Sequence, residues 1–306
     1  MVDYRYQQAW DYRGRGQNDR AIELLKQLLS EDPNHAMCHG LLASCLLEKK
    51  RLHAAEHELA IALRLAPINA YLVLTQARVF VFKNKPKQAL TCCDDALAIN
   101  PELSGALLLK SNIYALLDKK SERFECLQQA ASLDPNSVDV ITAIGDFYHS
   151  TGKHKKAFEV ASDALAMDPQ DVDANVLMGK IQLVLGNAED AEYHAMFAIS
   201  QNPESEAALK LFSNIKMRKN IFLGLWWRFN SWITTAGNLK SSAILVFGYL
   251  LFTLLSRVLA DLEYEQLSDV TSYSWLAIVV YSWVCIPMYY KQLKKEVEKF
   301  RFDSDF

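Results

Sequence analysis

Few residues of this 306-residue chain stand where side-chain chemistry would need them. His53 and His57 are four apart, which puts two imidazoles on one helix face, but no third ligand at metal-site spacing accompanies them. The six cysteines, Cys38, Cys45, Cys92, Cys93, Cys126 and Cys285, form no CxxC pair and no Cys/His set of zinc-finger spacing. They read as free thiols in a reducing compartment. Asp94-Asp95 and Asp171/Asp173 fall near expected helix ends, where a carboxylate caps or faces water. No P-loop, GxSxG or HExxH run is present. The inventory therefore predicts no enzyme activity, no metal and no cofactor. The formal net charge of −3 argues against nucleic acid as a partner, because neutralising phosphates needs a clustered Lys/Arg excess. The chemistry that remains is recognition by side chains held on a scaffold.

That scaffold is periodic. Pro33, Pro67, Pro101, Pro135, Pro169 and Pro203 are each 34 residues apart, and they are six of the eight prolines in the chain. Twenty-four residues before them stand Ala9, Ala43, Ala77, Ser111, Gly145 and Gly179. Twelve before stand Ala21, Ala55, Ala89, Arg123, Ala157 and Ala191, and five before stand Leu28, Ala62, Ala96, Ala130, Ala164 and Ala198. Small residues at fixed positions let two antiparallel helices approach closely. Tyr12, Leu46, Phe80, Tyr114 and Tyr148 fill the gaps between them. Asp or Asn precedes five of the six prolines, a pair that ends one helix and begins the next. Gly16, Gly152 and Gly186 mark the turn inside three repeats, where positive φ is often needed. Pro86 fits the first position of a helix. Arg123 breaks an otherwise alanine column and predicts local splaying or a salt bridge there.

A helix–turn–helix unit of this length, with these columns, resembles the tetratricopeptide repeat family over about residues 2–205, as six repeats. Residues 204–217 continue as an expected capping helix, giving a solenoid domain over 1–217. The resemblance implies an all-α, right-handed superhelix whose first helices line a concave groove, with a protein partner lying there as a peptide or helix. On that basis the residues 23 before each proline face the groove: Trp10, Ser44, Arg78, Asn112, Asp146 and Lys180, with Tyr71 and His149 nearby. Asn112 can offer a donor and an acceptor to a partner's backbone, and Arg78 and Lys180 can meet its acidic groups. Some repeats of this type clamp a C-terminal carboxylate with a Lys/Asn/Asn/Lys/Arg set. The corresponding positions here hold Gln7, Leu41, Thr75, Leu109 and Ala143, so chaperone C-terminal tails are not expected.

The last third differs in charge. Residues 1–217 carry 23 basic and 28 acidic residues; 218–260 carry five basic and no acidic ones; 261–272 carry four acids and no bases. Two uncharged apolar stretches, 241–256 (extended past Arg257 to about 260) and 270–290, predict a transmembrane helical hairpin. Tyr273, Tyr289 and Tyr290 suit the interfacial belts. Residues 218–240 read as an amphipathic juxtamembrane segment, with Trp226, Trp232 and their apolar neighbours on one stripe beside Trp227 and Arg228. Lys291, Lys294, Lys295, Lys299 and Arg301 make the tail 291–306 basic before its last acids. The positive-inside rule then places both termini in the cytoplasm, and the absence of an apolar leader at Met1 agrees. A bacterial inner membrane is the expected location.

These readings combine into a membrane-anchored adaptor or scaffold. It would recruit a partner peptide or helix, either simply or as an assembly factor for a membrane or envelope complex, with the bilayer holding the C-terminal hairpin. The alternative is a non-catalytic subunit of a membrane enzyme complex. Self-association through the exposed ends of the array is a further partner class.

Overall fold

The computed structural model describes residues 2–219, 238–262, 264, 266–271 and 273–274, with side chains over 4–218 and again from Tyr249. These residues divide into two compact units, one of residues 1–208 and one of 209–306. The boundary falls inside the helix that the sequence assigns to the cap.

The first unit is a stack of helix pairs: α1 (Val2–Gly14) with α2 (Asn18–Glu31), α3 (Ala36–Glu48) with α4 (Leu52–Leu65), α5 (Ala70–Phe82) with α6 (Pro86–Ile99), α7 (Ser104–Leu116) with α8 (Lys120–Leu133), α9 (Val138–Ser150) with α10 (His154–Met167), and α11 (Val172–Leu185) with α12 (Ala188–Gln201). Every lattice proline stands two residues beyond the end of a second helix, where its missing N–H and fixed φ end the helix. The small-residue columns form the seams. Ala9, Ala43, Ala77 and Ser111 are completely buried, as are Ala21, Ala55, Ala89, Ala157 and Ala191, and Ala62, Ala96, Ala130, Ala164 and Ala198. At Gly145 the seam is tight enough that an added Cβ would lie 2.6 Å from Leu177 Cδ2. Leucines and isoleucines such as Leu25, Leu41, Leu72, Ile113 and Ile181 fill the space between seams and supply most of the apolar burial.

Local devices repeat with the same period. His35, Asn69, Ser137 and Asp171 occupy one column and accept hydrogen bonds from the first amides of α3, α5, α9 and α11. Leu103 interrupts that column and gives α7 no side-chain cap. The turn inside each repeat needs a left-handed residue. Gly16, Gly152 and Gly186 take it at φ +72°, +78° and +98°, while Lys50, Asn84 and Asp118 take it at +57°, +55° and +53° in the other three repeats. His39 and Asn175 share another column and each reaches back to the carbonyl of its own repeat's proline, Pro33 or Pro169, at 3.0 Å. The proline carbonyl at these two boundaries thereby gains a partner.

Of the two outcomes that Arg123 allowed, the salt bridge is present. The side chain is 6% exposed and crosses into the next repeat. It donates to Asp146 Oδ2 and to Ser150 Oγ, both at 2.9 Å, and its guanidinium lies 5.5 Å from the Phe147 ring centroid. Within the first unit the two ends of the array also meet. Lys49 Nζ pairs with Asp19 at 2.9 Å and with Glu204 at 3.3 Å, and Lys50 pairs with Glu206. Gly16 lies so close to Asn202 that a Cβ there would be 2.3 Å from its Nδ2.

Helix α13 (Glu206–Lys219) runs from the first unit into the second. In the second unit, α14 spans Asn238–Asp261, the chain turns at Leu262, and residues 266–271 are helical again. The reversal is held by Ser256 and Ser268. Ser256 Oγ lies 3.0 Å from Ser268 Oγ and donates to Ser268 O at 3.1 Å, and Ser268 Oγ donates to Ser256 O at 2.9 Å. Among the described residues no helix is long and apolar enough to cross a membrane. The two-span hairpin expected from the sequence is therefore not shown by the fold. The greater part of its second span, 275–290, lies outside the described residues, as do Trp226, Trp227, Arg228, Trp232, Tyr289, Tyr290 and the tail. Of the expected interface residues, Arg257 and Tyr273 are described, and both are exposed.

Candidate functional site

The first helices of the solenoid surround a cavity of about 610 Å³. The walls come from α1, α3, α5, α7, α9 and α11, with Arg123 of α8 and with Ala207 at the start of α13. The period explains the arrangement. Each first helix turns its small-residue column toward its partner helix, so in the third to sixth repeats the residue next along, 23 before the proline (Arg78, Asn112, Asp146 and Lys180), faces inward. Val81, Phe82, Leu108, Leu109, Val176 and Leu177 form the larger apolar part of the wall, small or hydroxyl residues such as Gly105, Ala143 and Thr142 intervene, and the rest is charged or amide-bearing.

Four cations, Arg13, Arg78, Arg123 and Lys180, and four carboxylates, Glu48, Asp139, Asp146 and Asp173, line this space. Five of the eight are paired with one another. Arg13 Nη2 lies 3.7 Å from Glu48, and Asp146 receives both Arg123 at 2.9 Å and Lys180 at 3.6 Å. Asp146 therefore serves partly to neutralise the buried guanidinium of Arg123. Three groups remain. Arg78, Asp139 and Asp173 have no ion pair and no hydrogen bond among the described residues.

Their electrostatics follow from that. Burial pushes the Arg78 guanidinium below the usual arginine value, and the nearby positive charge of Arg13 adds to the effect. Burial raises the Asp173 carboxyl above the ordinary aspartate value, with repulsion from Asp139 as the next cause. The Asp173 side chain is open to water yet walled by protein, as befits a group inside a cavity.

The residues that the sequence singled out divide into two sets. Arg78, Asn112, Asp146 and Lys180 come together in the wall. Trp10, Tyr71 and His149 do not line it. The Trp10 ring packs against the Tyr71 ring at 5.3 Å, and Tyr71 OH lies 3.3 Å from Ser44 Oγ, so these two belong to the edge of the N-terminal core. His149 sits 5.3 Å from the His154 ring, and burial lowers its pKa below the ordinary histidine value. Arg13, Glu48, Asp139 and Asp173 were not among the residues expected from the sequence. The signal for the last two was available: they occupy one column, 30 before the proline, shared with Tyr71 and Gly105.

Reactive groups elsewhere are quiet. Cys38, Cys45, Cys92, Cys93 and Cys126 are free and buried, and burial pushes the Cys93 thiol up to about 12. His53 is fully exposed, and among the described residues no three His, Cys, Asp or Glu side chains are grouped to hold a metal ion.

Comparison with known proteins bears on the scaffold. One tetratricopeptide repeat model matches residues 12–79, and a second matches 104–137 and 138–171. Comparison with curated proteins gave no match. Among solved structures, a thermophilic TPR protein of Thermus thermophilus is similar at 22% identity with a TM-score of 0.54, covering 60% of this chain and all of that one. The Cut9–Hcn1 hetero-tetramer of the APC/C is similar at 15% identity with a TM-score of 0.60, covering 89% of this chain and 52% of that chain. At these identities the likeness speaks for the fold alone. Residues 12–79 and 104–171 thus match tetratricopeptide repeats, and the first unit is an all-α solenoid with the fold of such repeats.

Proposed function

We propose that this chain is an interaction scaffold whose solenoid cavity receives a segment of a protein partner, and that its C-terminal third attaches it to a bilayer. Repeats of this family act as protein-interaction scaffolds, which is the general frame. The observation that carries the specific reading is the cavity wall itself. It sets Arg78, half-buried and without an ion pair, against the exposed and unpaired carboxylates of Asp139 and Asp173, so that the wall offers charge of both signs to a ligand.

Gly105 gives the test. It lines the cavity, and an added Cβ there meets nothing closer than Leu74 Cδ2 at 3.7 Å. The same column carries Tyr71 in the preceding repeat, so a large ring at this position is compatible with the fold. Gly105→Trp should project an indole into the cavity, obstruct it and reduce partner co-purification while the helical circular dichroism stays native. Unchanged co-purification with native helicity would remove the cavity from the binding function.

Bilayer attachment rests on the apolar, uncharged sequence of 241–256 and 270–290 and on the uncovered apolar surface of the second unit. Leu250, Leu254, Leu262, Leu267 and Val270 are each more than half exposed. In this reading both termini face the cytoplasm. The full chain should remain in the membrane pellet after alkaline carbonate extraction, and its release would refute the attachment. An assembly role at a membrane complex is the finer form of the same proposal.

A further inference from the structure

The cavity's unpaired groups lie in different repeats, and their separation by sign carries information about what enters. Arg78 stands on α5 in the third repeat, half-buried, with Arg13 as a cationic neighbour and Asn112 on the next first helix. Asp139 and Asp173 stand on α9 and α11 in the fifth and sixth repeats, at the same place in each repeat. The charges between them are already spoken for, since Asp146 is held by Arg123 and Lys180.

Taking the cavity as the partner site, we propose that it accepts a peptide segment bearing one carboxylate and one cationic side chain, the carboxylate on Arg78 and the cation between Asp139 and Asp173. Charge complementarity selects this occupant. A purely acidic segment would meet Asp139 and Asp173 in like-charge contact, and a purely basic one would leave Arg78 unpaired beside Arg13. A guanidinium offers a planar, two-pronged face to a carboxylate, so Arg78 fixes one end of the segment as well as its charge. The segment therefore has a direction, acidic toward the third repeat and basic toward the sixth. Asp139 and Asp173, paired through the 34-residue period, are the specificity element for a lysine or arginine.

The test uses the full-length protein and fluorescent nine-residue Gly/Ser/Ala peptides carrying one Glu and one Lys at varied spacing. Peptides with two Glu, two Lys or no charge serve as comparisons, and binding is read by anisotropy. Mixed-charge peptides of one spacing and one order should bind best. Arg78→Gln should weaken them at least about tenfold, and Asp139→Asn with Asp173→Asn should do the same. Arg78→Glu should shift the preference from Glu/Lys to Lys/Lys peptides, a gain that misfolding cannot produce. If peptides bind and Gly105→Trp abolishes binding, but Arg78→Gln and the double aspartate variant change nothing, the charge assignment is overturned and the cavity reading stands. If no peptide binds, or Gly105→Trp leaves binding unchanged, the cavity reading falls and this inference with it.

Discussion

Replacing Arg123 by alanine sets two features of this structure against each other. Alanine is the residue of that column in the other five repeats, so the helix seam itself should accept it. The lost interactions are specific. The hydrogen bond to Ser150 at 2.9 Å is worth about 1 kcal/mol. The ion pair with Asp146 involves a carboxylate 41% exposed that keeps Lys180 at 3.6 Å, which holds its contribution to about 1 kcal/mol. The guanidinium over Phe147 adds about 0.5–1 kcal/mol. Against these, Arg123 Nε is buried with no hydrogen-bond partner, and removing it relieves about 1 kcal/mol. The net is a loss of about 1–2 kcal/mol, local to α8 and α9. Native-state hydrogen exchange on the full chain reads it as about five- to thirty-fold faster exchange in those helices, with α3 and α4 unchanged. Arg123→Met, which keeps the stem against Phe147, should fall between. Exchange in α8 and α9 that is unchanged or slower for Arg123→Ala would overturn this balance, and the ion pair would then be a neutral substitute for the alanine seam.

Three further outcomes follow from geometry. Gly145→Ala gains about 1 kcal/mol of helix propensity but drives a methyl into buried Leu177, an overpacking penalty of about 1–3 kcal/mol; thermal unfolding should show net destabilisation that shrinks when Leu177→Ala is combined with it. Gly152→Ala meets no atom within 4 Å, so its effect is backbone alone: φ +78° costs an alanine about 1–2 kcal/mol, a lowered unfolding midpoint with unchanged helicity. The raised pKa of Asp173 means that, as pH falls, it takes up a proton before an ordinary aspartate does; ionised Asp139, Asp146 and Glu48 favour that proton and Lys180 opposes it. Capture of a Lys-bearing peptide should therefore weaken from a pH above the usual aspartate titration, and Asp173→Asn should remove that early phase.

Much of the solenoid was written in spacing alone. The proline lattice, the small-residue columns and the three turn glycines follow directly from the geometry of close helix pairs, and each is found where the 34-residue period puts it. Lys50, Asn84 and Asp118 were not foreseen as left-handed residues, because type alone does not announce positive φ outside glycine. They sit at the glycine column, so the period, and not the residue, carried that signal. The cavity was half legible. Arg78, Asn112, Asp146 and Lys180 could be placed by register on a single helix face. Trp10 and Tyr71 could not be assigned, because an aromatic at a groove edge packs on its neighbour whenever one is within reach, and here they reach each other. Glu48 and Arg13 depend on how far the array curves before its ends meet through Lys49 and Glu204, a tertiary property that no single repeat encodes. In the C-terminal third, charge signs and apolar runs lead to the expectation of a membrane hairpin, whereas the described residues establish a helix, a turn and a serine-linked reversal.

Whether a partner occupies the solenoid cavity decides the functional reading. A photo-crosslinking amino acid at position 112, inside the cavity, and another at position 193, where Tyr193 is 66% exposed on α12, test it in the full-length protein within its native cells. Occupancy of the cavity predicts a discrete protein adduct from position 112 that is lost when Gly105→Trp obstructs the space, and no such adduct from position 193. An adduct from position 112 that survives Gly105→Trp, or the same partner captured from position 193 alone, would contradict it.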